Sequence, residues 1–311
     1  MKFTIFQNSL QGPRQYNQDR LAYSYSKDAL LLVVADGMGG HRHGEMAAQL
    51  AVTTMTEAFQ RLAVPTLSSP AKFLIDHIQQ IHDMIDQLTQ EREMLESPRT
   101  TIVAAIVQRG MLYCAHVGDS RLYHFRNNHL LYRTEDHSVV QSLYNKGIIN
   151  KSEMTTHPYR HKVYSCLGGD TPPKIDLSDR QELAEGDTIL LCTDGVWGAL
   201  TDDEIKVMLY GPSITDNVTA LLNKAELVSQ EQGDNMSAIG LQWGDKLSDP
   251  FAVSTITMAM GATTTIMNPV KRNILGSDDT FTDDFSDDDI ENTINEIQRA
   301  LQKNKLTSQD K

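Results

Sequence analysis

Apolar residues along the first 245 positions fall into two rhythms. Short, nearly continuous runs read as buried strands, and longer stretches with apolar residues every three or four positions read as amphipathic helices. Ala29 to Ala35 is one such run and closes on Asp36-Gly37. Thr101 to Gln108 and Met111 to Val117 meet across Arg109-Gly110 and predict a hairpin. Arg121 to Arg126 and Leu130 to Tyr132 flank Asn127-Asn128, residues that tolerate left-handed backbone, and predict a second. Two helices are expected ahead of these hairpins. One runs from about Gly44 to Leu62, with Ala47, Leu50, Ala51, Met55, Ala58, Phe59 and Leu62 on one side. The other follows Ser69-Pro70, a cap and a first-turn proline, with Leu74, Ile78, Ile81, Ile85 and Leu88 at helical spacing. Thr201 and Glu204 form a capping box ahead of a short helix, Asn217 to Gln232 is helical until Gly233, and Ser237 to Trp243 is the final strand. The regular β-α-β spacing of a doubly wound sheet is missing, so the expected class is α+β, with helices covering antiparallel sheets and loops at the sheet ends free for chemistry.

Composition narrows the field. A chain of 311 residues with 40% apolar content suits one enzyme-sized domain plus a tail. A formal charge of −13 with no Lys/Arg-rich run argues against a nucleic-acid partner, whose phosphates demand a basic face. Cys114, Cys166 and Cys192 lie far apart inside apolar runs, which suits reduced thiols better than disulfides or a zinc site. Residues 1–10 carry no basic region followed by an apolar stretch, so no secretory signal is read and a cytoplasmic location is expected. Pro250 to Val270 is uncharged, but five threonines, a serine, a glycine and an asparagine dilute it below a spanning helix; a linker or docking strand is expected there, and no membrane.

Acidic side chains recur where apolar runs stop: Asp36-Gly37, Asp119, Asp194-Gly195 and Asp234-Asn235. Singly, aspartate before glycine is an ordinary turn dipeptide. Together, four carboxylates at element ends suggest a hard-cation site, because Mg²⁺ and Mn²⁺ take oxygen ligands, keep several waters and need few carboxylates. A glycine after the ligand also lets a backbone carbonyl approach the ion.

Read in order, the motifs are Arg14-Gln15-Tyr16-Asn17-Gln18-Asp19, Val34-Ala35-Asp36-Gly37-Met38-Gly39-Gly40-His41, Thr100-Thr101, Ala115-His116-Val117-Gly118-Asp119-Ser120-Arg121, Glu135-Asp136-His137-Ser138, Leu191-Cys192-Thr193-Asp194-Gly195-Val196-Trp197 and Gly233-Asp234-Asn235-Met236-Ser237. The series resembles the metal-dependent type 2C Ser/Thr protein phosphatases, in particular their bacterial branch, from the start of the chain to about Gly244. The resemblance implies a four-layer α-β-β-α sandwich and hydrolysis of phosphoserine and phosphothreonine in proteins, opposite a cognate Ser/Thr kinase. It also implies two Mn²⁺ or Mg²⁺ ions, with a third in bacterial relatives. Carried over, Asp36 would bridge two ions, Gly37 would lend its carbonyl, and Asp194 and Asp234 would complete the pair. Asp19 would hold metal-bound waters, Asp119 would serve the third ion, Arg14 would clamp the phosphate, and Thr193 and Asn235 would orient ligands. An Arg suits that clamp because its planar fork meets two phosphate oxygens at once.

Two metals in such a site activate a water for in-line attack on phosphorus. A phosphocysteine route is disfavoured by cysteines buried in apolar runs. An aspartyl-phosphate route is disfavoured because neither Asp36 nor Asp194 has a second Asp two positions on. Met38 stands where eukaryotic relatives carry a histidine; His41 is nearby, a bound water could serve equally, and the general acid stays unassigned. His116 reads as structural within its strand, and His137 as packing at a helix start. Residues 146–169, with His157, Arg160 and His161, resemble the family's variable flap, which either selects flanking acidic residues or is a plain exposed loop.

The boundaries read as a catalytic domain over 1–244, a linker and acidic disordered tail over 245–289, and an amphipathic helix over 290–305. Seven aspartates lie between Ser277 and Asp289, and Ile290, Ile294, Ile297 and Leu301 follow at helical spacing. That helix is expected to dock on a partner or on the catalytic domain. Two rival readings remain beside the phosphatase: a catalytically silent binding domain, and a hydrolase of small phosphoesters.

Overall fold

The computed structural model describes residues 1–39, 43–211, 213–244 and 252–267. The elements are β1 (Lys2–Leu10), β2 (Asp19–Tyr25), β3 (Ala29–Met38), α1 (His43–Leu62), α2 (Pro70–Glu91), β4 (Arg99–Thr100), β5 (Ile102–Gln108), β6 (Met111–Val117), β7 (Arg121–Arg126), β8 (His129–Arg133), α3 (Val139–Asn145), α4 (Lys151–Met154), β9 (Asp176–Leu177), β10 (Gln181–Glu182), β11 (Thr188–Cys192), α5 (Asp194–Trp197), α6 (Asp202–Leu209), α7 (Ile214–Ser229), β12 (Met236–Trp243), β13 (Ala252–Ser254) and β14 (Thr264–Met267).

The strands form two antiparallel sheets, one ordered β13-β1-β12-β11-β7-β8 and the other β10-β6-β5-β3-β2-β14, with β4 on β3 and β9 on β6. β3 is continuously apolar because both of its faces are buried. Leu31, Val33 and Ala35 pack towards α1 and α2, while Leu30, Leu32 and Val34 pack between the sheets. A third apolar layer, including Tyr123, Leu190, Val196, Ile205, Val218 and Leu222, joins the other sheet to α6 and α7. Three buried layers between four layers of elements make the α-β-β-α sandwich.

Local signals placed the helices and turns well. Ser69 caps α2 by accepting from the Lys72 amide, and Thr201 and Glu204 form the reciprocal capping box of α6. Asn127 and Asn128 take φ of 48° and 62° in the β7–β8 hairpin, as expected of paired left-handed turn residues. The third long helix starts earlier than read, at Ile214, because Ser213 caps it through the Asp216 amide.

Three strand expectations are corrected. β1 lies in the stretch Lys2–Leu10, where no strand was read; alternating pairing with β12 and β13 stabilises it, a tertiary effect that its mixed sequence hides. Residues Asp36 to Met38 stay inside β3, with Gly37 paired to Thr100 on β4, so Asp36-Gly37 belongs to the strand rather than to a following loop. Ser237–Trp243 is not the last strand: β13 pairs with β1 and β14 with β2, so both sheets extend past residue 244. Those two edge strands fall in the segment read as a linker or docking strand. Among the described residues no helix is long and apolar enough to cross a membrane. The acidic stretch after Ser277 and the expected helix over 290–305 lie outside the described residues, as does His41.

Candidate active site

The acidic residues converge because of where the strands run. Asp19 opens β2 opposite Asp36 at the end of antiparallel β3, Asp119 sits where the chain leaves β6 in one sheet for β7 in the other, Asp194 follows β11 and Asp234 precedes β12. All five therefore reach one end of the sandwich.

The main chain of Asp36 is fixed from several sides. Its N–H donates to Thr101 Oγ1 at 3.1 Å, and its carbonyl accepts from the Thr101 amide at 2.8 Å and from Thr100 Oγ1 at 2.9 Å. The next residue, Gly37, lies against the start of α1, where a Cβ would fall on the Gly44 carbonyl and within 2.9 Å of the Gln18 carbonyl. Asp19 accepts from Thr193 Oγ1 at 2.9 Å, and that hydroxyl accepts from the Ser237 amide at 3.1 Å. Asn235 ties the loop before β2 to the loop before β12. Its Oδ1 accepts from the Gln18 amide at 2.9 Å, and its Nδ2 donates to the carbonyls of Gln11 and Tyr16 at 2.8 and 2.9 Å.

Burial pushes the carboxyls up. Asp19 rises to about 7 and Asp194 to about 6, burial acting first and neighbouring carboxylates adding to it. Asp36 and Asp119 lie well above the ordinary carboxylate range, first through burial and then through the other aspartates, with Asp194 acting on both. Asp194 Oδ1 is buried without a partner. Arg14 reaches this group by a 2.7 Å ion pair with Asp234. Buried carboxylates that raise one another, plus one orphaned carboxylate oxygen, are the donor set a hard divalent cation would satisfy.

Sequence reading gave no chemical role to three residues beside this group. Trp197 Nε1 donates to the Asp119 carbonyl at 2.9 Å, and the Arg121 guanidinium stacks 3.6 Å over the Trp197 ring while forking onto Asp136. All three lie inside the quoted motifs, which was the only signal available for them. His116, His137 and Asp176 form a second group whose metal-ligating atoms lie within 4.8 Å of one another. Their hydrogen bonds fit the structural roles read for the histidines: His116 Nε2 donates to the Glu135 carbonyl at 2.8 Å, and burial lowers His137 to about 4, keeping it neutral. His161, on the flap, lies close enough to Asp234 and Arg14 to feel both charges. A cavity of about 480 Å³ lined by Thr188, Tyr210 and Gln242 opens at the other end of β11 and is remote from the acidic group.

A family model described as protein phosphatase 2C matches residues 9–232. A Ser/Thr phosphatase, stp, of Listeria welshimeri is 31% identical over 229 residues, covering 73% of this chain and 90% of the relative. Among solved structures, the S. agalactiae Ser/Thr phosphatase aligns with a TM-score of 0.71 at 28% identity, covering 78% of this chain and all of that one. The catalytic domain of the Ser/Thr protein phosphatase PstP, in complex with two manganese ions, aligns with a TM-score of 0.65 at 26% identity over 78% of this chain and 99% of that one. With its four-layer sandwich and its end-on cluster of aspartates, this chain belongs to the protein phosphatase 2C family of metal-dependent Ser/Thr phosphatases.

Proposed function

We propose that the protein removes phosphate from phosphoserine and phosphothreonine in proteins at the aspartate cluster, opposing a Ser/Thr kinase. The observation that carries this reading is the buried acidic group with its orphaned Asp194 oxygen. Asp36, Asp194 and Asp234, with the Gly37 carbonyl, are the residues that would hold two Mn²⁺ or Mg²⁺ ions; Asp119 would hold a third, and the manganese bound by the PstP relative favours that ion. When bound, such a pair supplies an activated water and charge to stabilise the in-line displacement. Asp19, which accepts from Thr193, would orient water. Asn235 keeps the Asp234 loop against the Arg14 loop. Arg14, whose side chain is about half exposed, is free to swing from Asp234 to two oxygens of an incoming phosphate. Cys114 and Cys192 are fully buried and their thiols are pushed up by burial, which fits attack by water rather than by a thiolate. A cytoplasmic setting, and docking of the tail on a partner or on the catalytic domain, belong to the same reading.

The test is hydrolysis of a phosphothreonine peptide and of p-nitrophenyl phosphate by the full chain, with Mn²⁺ or excess chelator, beside Asp36→Asn. Metal-requiring turnover that falls by at least about 10³-fold in the variant is expected, since Asp36 would touch both ions. Turnover that survives chelation or the substitution refutes the site. Hydrolysis of nucleotide or sugar phosphates in preference to the phosphopeptide favours the small-phosphoester reading.

A further inference from the structure

We propose that His137 is a positioning residue for Asp119, and that Asp176 acts on the site through it; the inference rests on reading Asp119 as a cation ligand. The turn that carries Asp119 is built on a glycine. Gly118 has φ of +101°, and a Cβ there would meet Thr101 Cγ2 at 2.6 Å, so only glycine fits and its freedom leaves the direction of the turn to the contacts around it. His137 grips that turn twice: its backbone N–H donates to the Gly118 carbonyl at 2.9 Å, and its ring Nδ1 accepts the Gly118 N–H at 3.1 Å. Trp197 closes the far side by donating to the Asp119 carbonyl. Asp136, next to His137, orients the Arg121 guanidinium that backs the Trp197 ring, so two adjacent residues support both sides of the turn.

The ring can accept from Gly118 in only one neutral tautomer. A lone pair on Nδ1 places the proton on Nε2, and Nε2 lies 3.0 Å from Asp176 Oδ2, which accepts it. The same tautomer takes Nε2 out of use as a metal ligand, so the group of His116, His137 and Asp176 works as a hydrogen-bonded relay rather than as a separate cation site. His116 stacks on His137 with ring centroids 4.6 Å apart and holds its plane. Asp176 lies on the short strand β9, partly exposed and shared with Lys174, so it can be altered without touching the aspartate cluster.

The experiment is activity of the full chain towards p-nitrophenyl phosphate as a function of Mn²⁺ concentration, for Asp119→Asn, Asp176→Ala and Asp176→Asn. Asp119→Asn raises the half-saturating Mn²⁺ concentration. Asp176→Ala raises it about tenfold with little change in substrate KM or melting temperature, and Asp176→Asn, whose side-chain oxygen still accepts from Nε2–H, stays within about threefold of the parent. A shift in Asp119→Asn with none in Asp176→Ala overturns the relay, and no shift in Asp119→Asn overturns the ligand reading beneath it. Nitrogen chemical shifts of His137 in the unmodified protein give a check that no variant's folding can confound: the Nε2–H tautomer is expected, and an Nδ1–H ring overturns the proposal.

Discussion

Asp36 is held by its backbone more than by its side chain. Its N–H and C=O are both taken up by Thr100 and Thr101, which leaves the carboxyl to face the other aspartates. The neighbour that makes this possible is Gly37, whose missing Cβ lets α1 start against the strand. Gly37→Ala has no flexible side chain to push aside, because the atoms it would meet are the carbonyls of Gly44 and Gln18. The variant is expected to lose about 1–3 kcal/mol in denaturant unfolding, as overpacked sites do, and to lose metal-dependent activity with it. Unchanged stability and activity would show that the β3–α1 contact is not what places Asp36. At this scale carboxylates at the ends of apolar runs made Asp36, Asp119, Asp194 and Asp234 visible one residue at a time, whereas Asp19 came in only through the resemblance of its motif. The sequence did not reveal that Thr193 reaches Asp19 or that Trp197 reaches Asp119, contacts that join residues 174 and 78 positions apart.

Among the elements, the helices and hairpins were legible and the sheet edges were not. Capping residues, helical spacing and paired asparagines act over four or five residues, so a local reading captures them. β13 and β14 draw their stability from strands about 240 to 250 residues away. Thr255, fully buried after β13, donates to the Lys27 carbonyl at 2.6 Å and accepts from the Met1 ammonium at 2.7 Å, and Thr265 of β14 hydrogen-bonds to Ser24. A chain ending at residue 267 keeps both edge strands paired. One ending at residue 244 uncovers the edges of β1 and β2 and is expected to melt lower by on the order of 5 °C. Equal melting of the two truncations by differential scanning calorimetry would mean that the edge strands contribute nothing. The comparison also separates loss of the edge strands from loss of the acidic tail, which a single deletion after Gly244 would confound.

For the molecule as a whole, the acidic end of the sandwich works against folding until cations are present. Asp19, Asp36, Asp119 and Asp194 all hold their protons more tightly in the folded metal-free protein than in the unfolded chain. A raised folded-state pKa contributes stability below the unfolded value, about 4, and that contribution is lost as pH climbs through the folded value, about 7 for Asp19. Chelator-treated protein is thus expected to melt at a lower temperature at pH 8 than at pH 5, and Mn²⁺ to raise the melting point most at pH 8. Asp36→Asn, which removes one of the crowded ionisable carboxyls, is expected to stabilise the chelated protein at pH 8 while abolishing turnover. A melting temperature that does not fall between pH 5 and pH 8 without metal would contradict the crowding of these carboxyls.

The sequence by itself determined the class of the fold, most of the helices and hairpins, and the five aspartates with Arg14, since each depends on residue type, short-range spacing or ordered motifs. Tertiary structure alone decided that β6 and β7 belong to different sheets, which carries Asp119 to the same end as Asp36 and Asp194. It also decided that the segment after Gly244 returns to close both sheet edges, and that His137 and Trp197 grip the Asp119 turn. The physical reason is common to all three. Strand pairing and side-chain to backbone hydrogen bonds between distant residues leave no local pattern, because either partner alone is compatible with many folds.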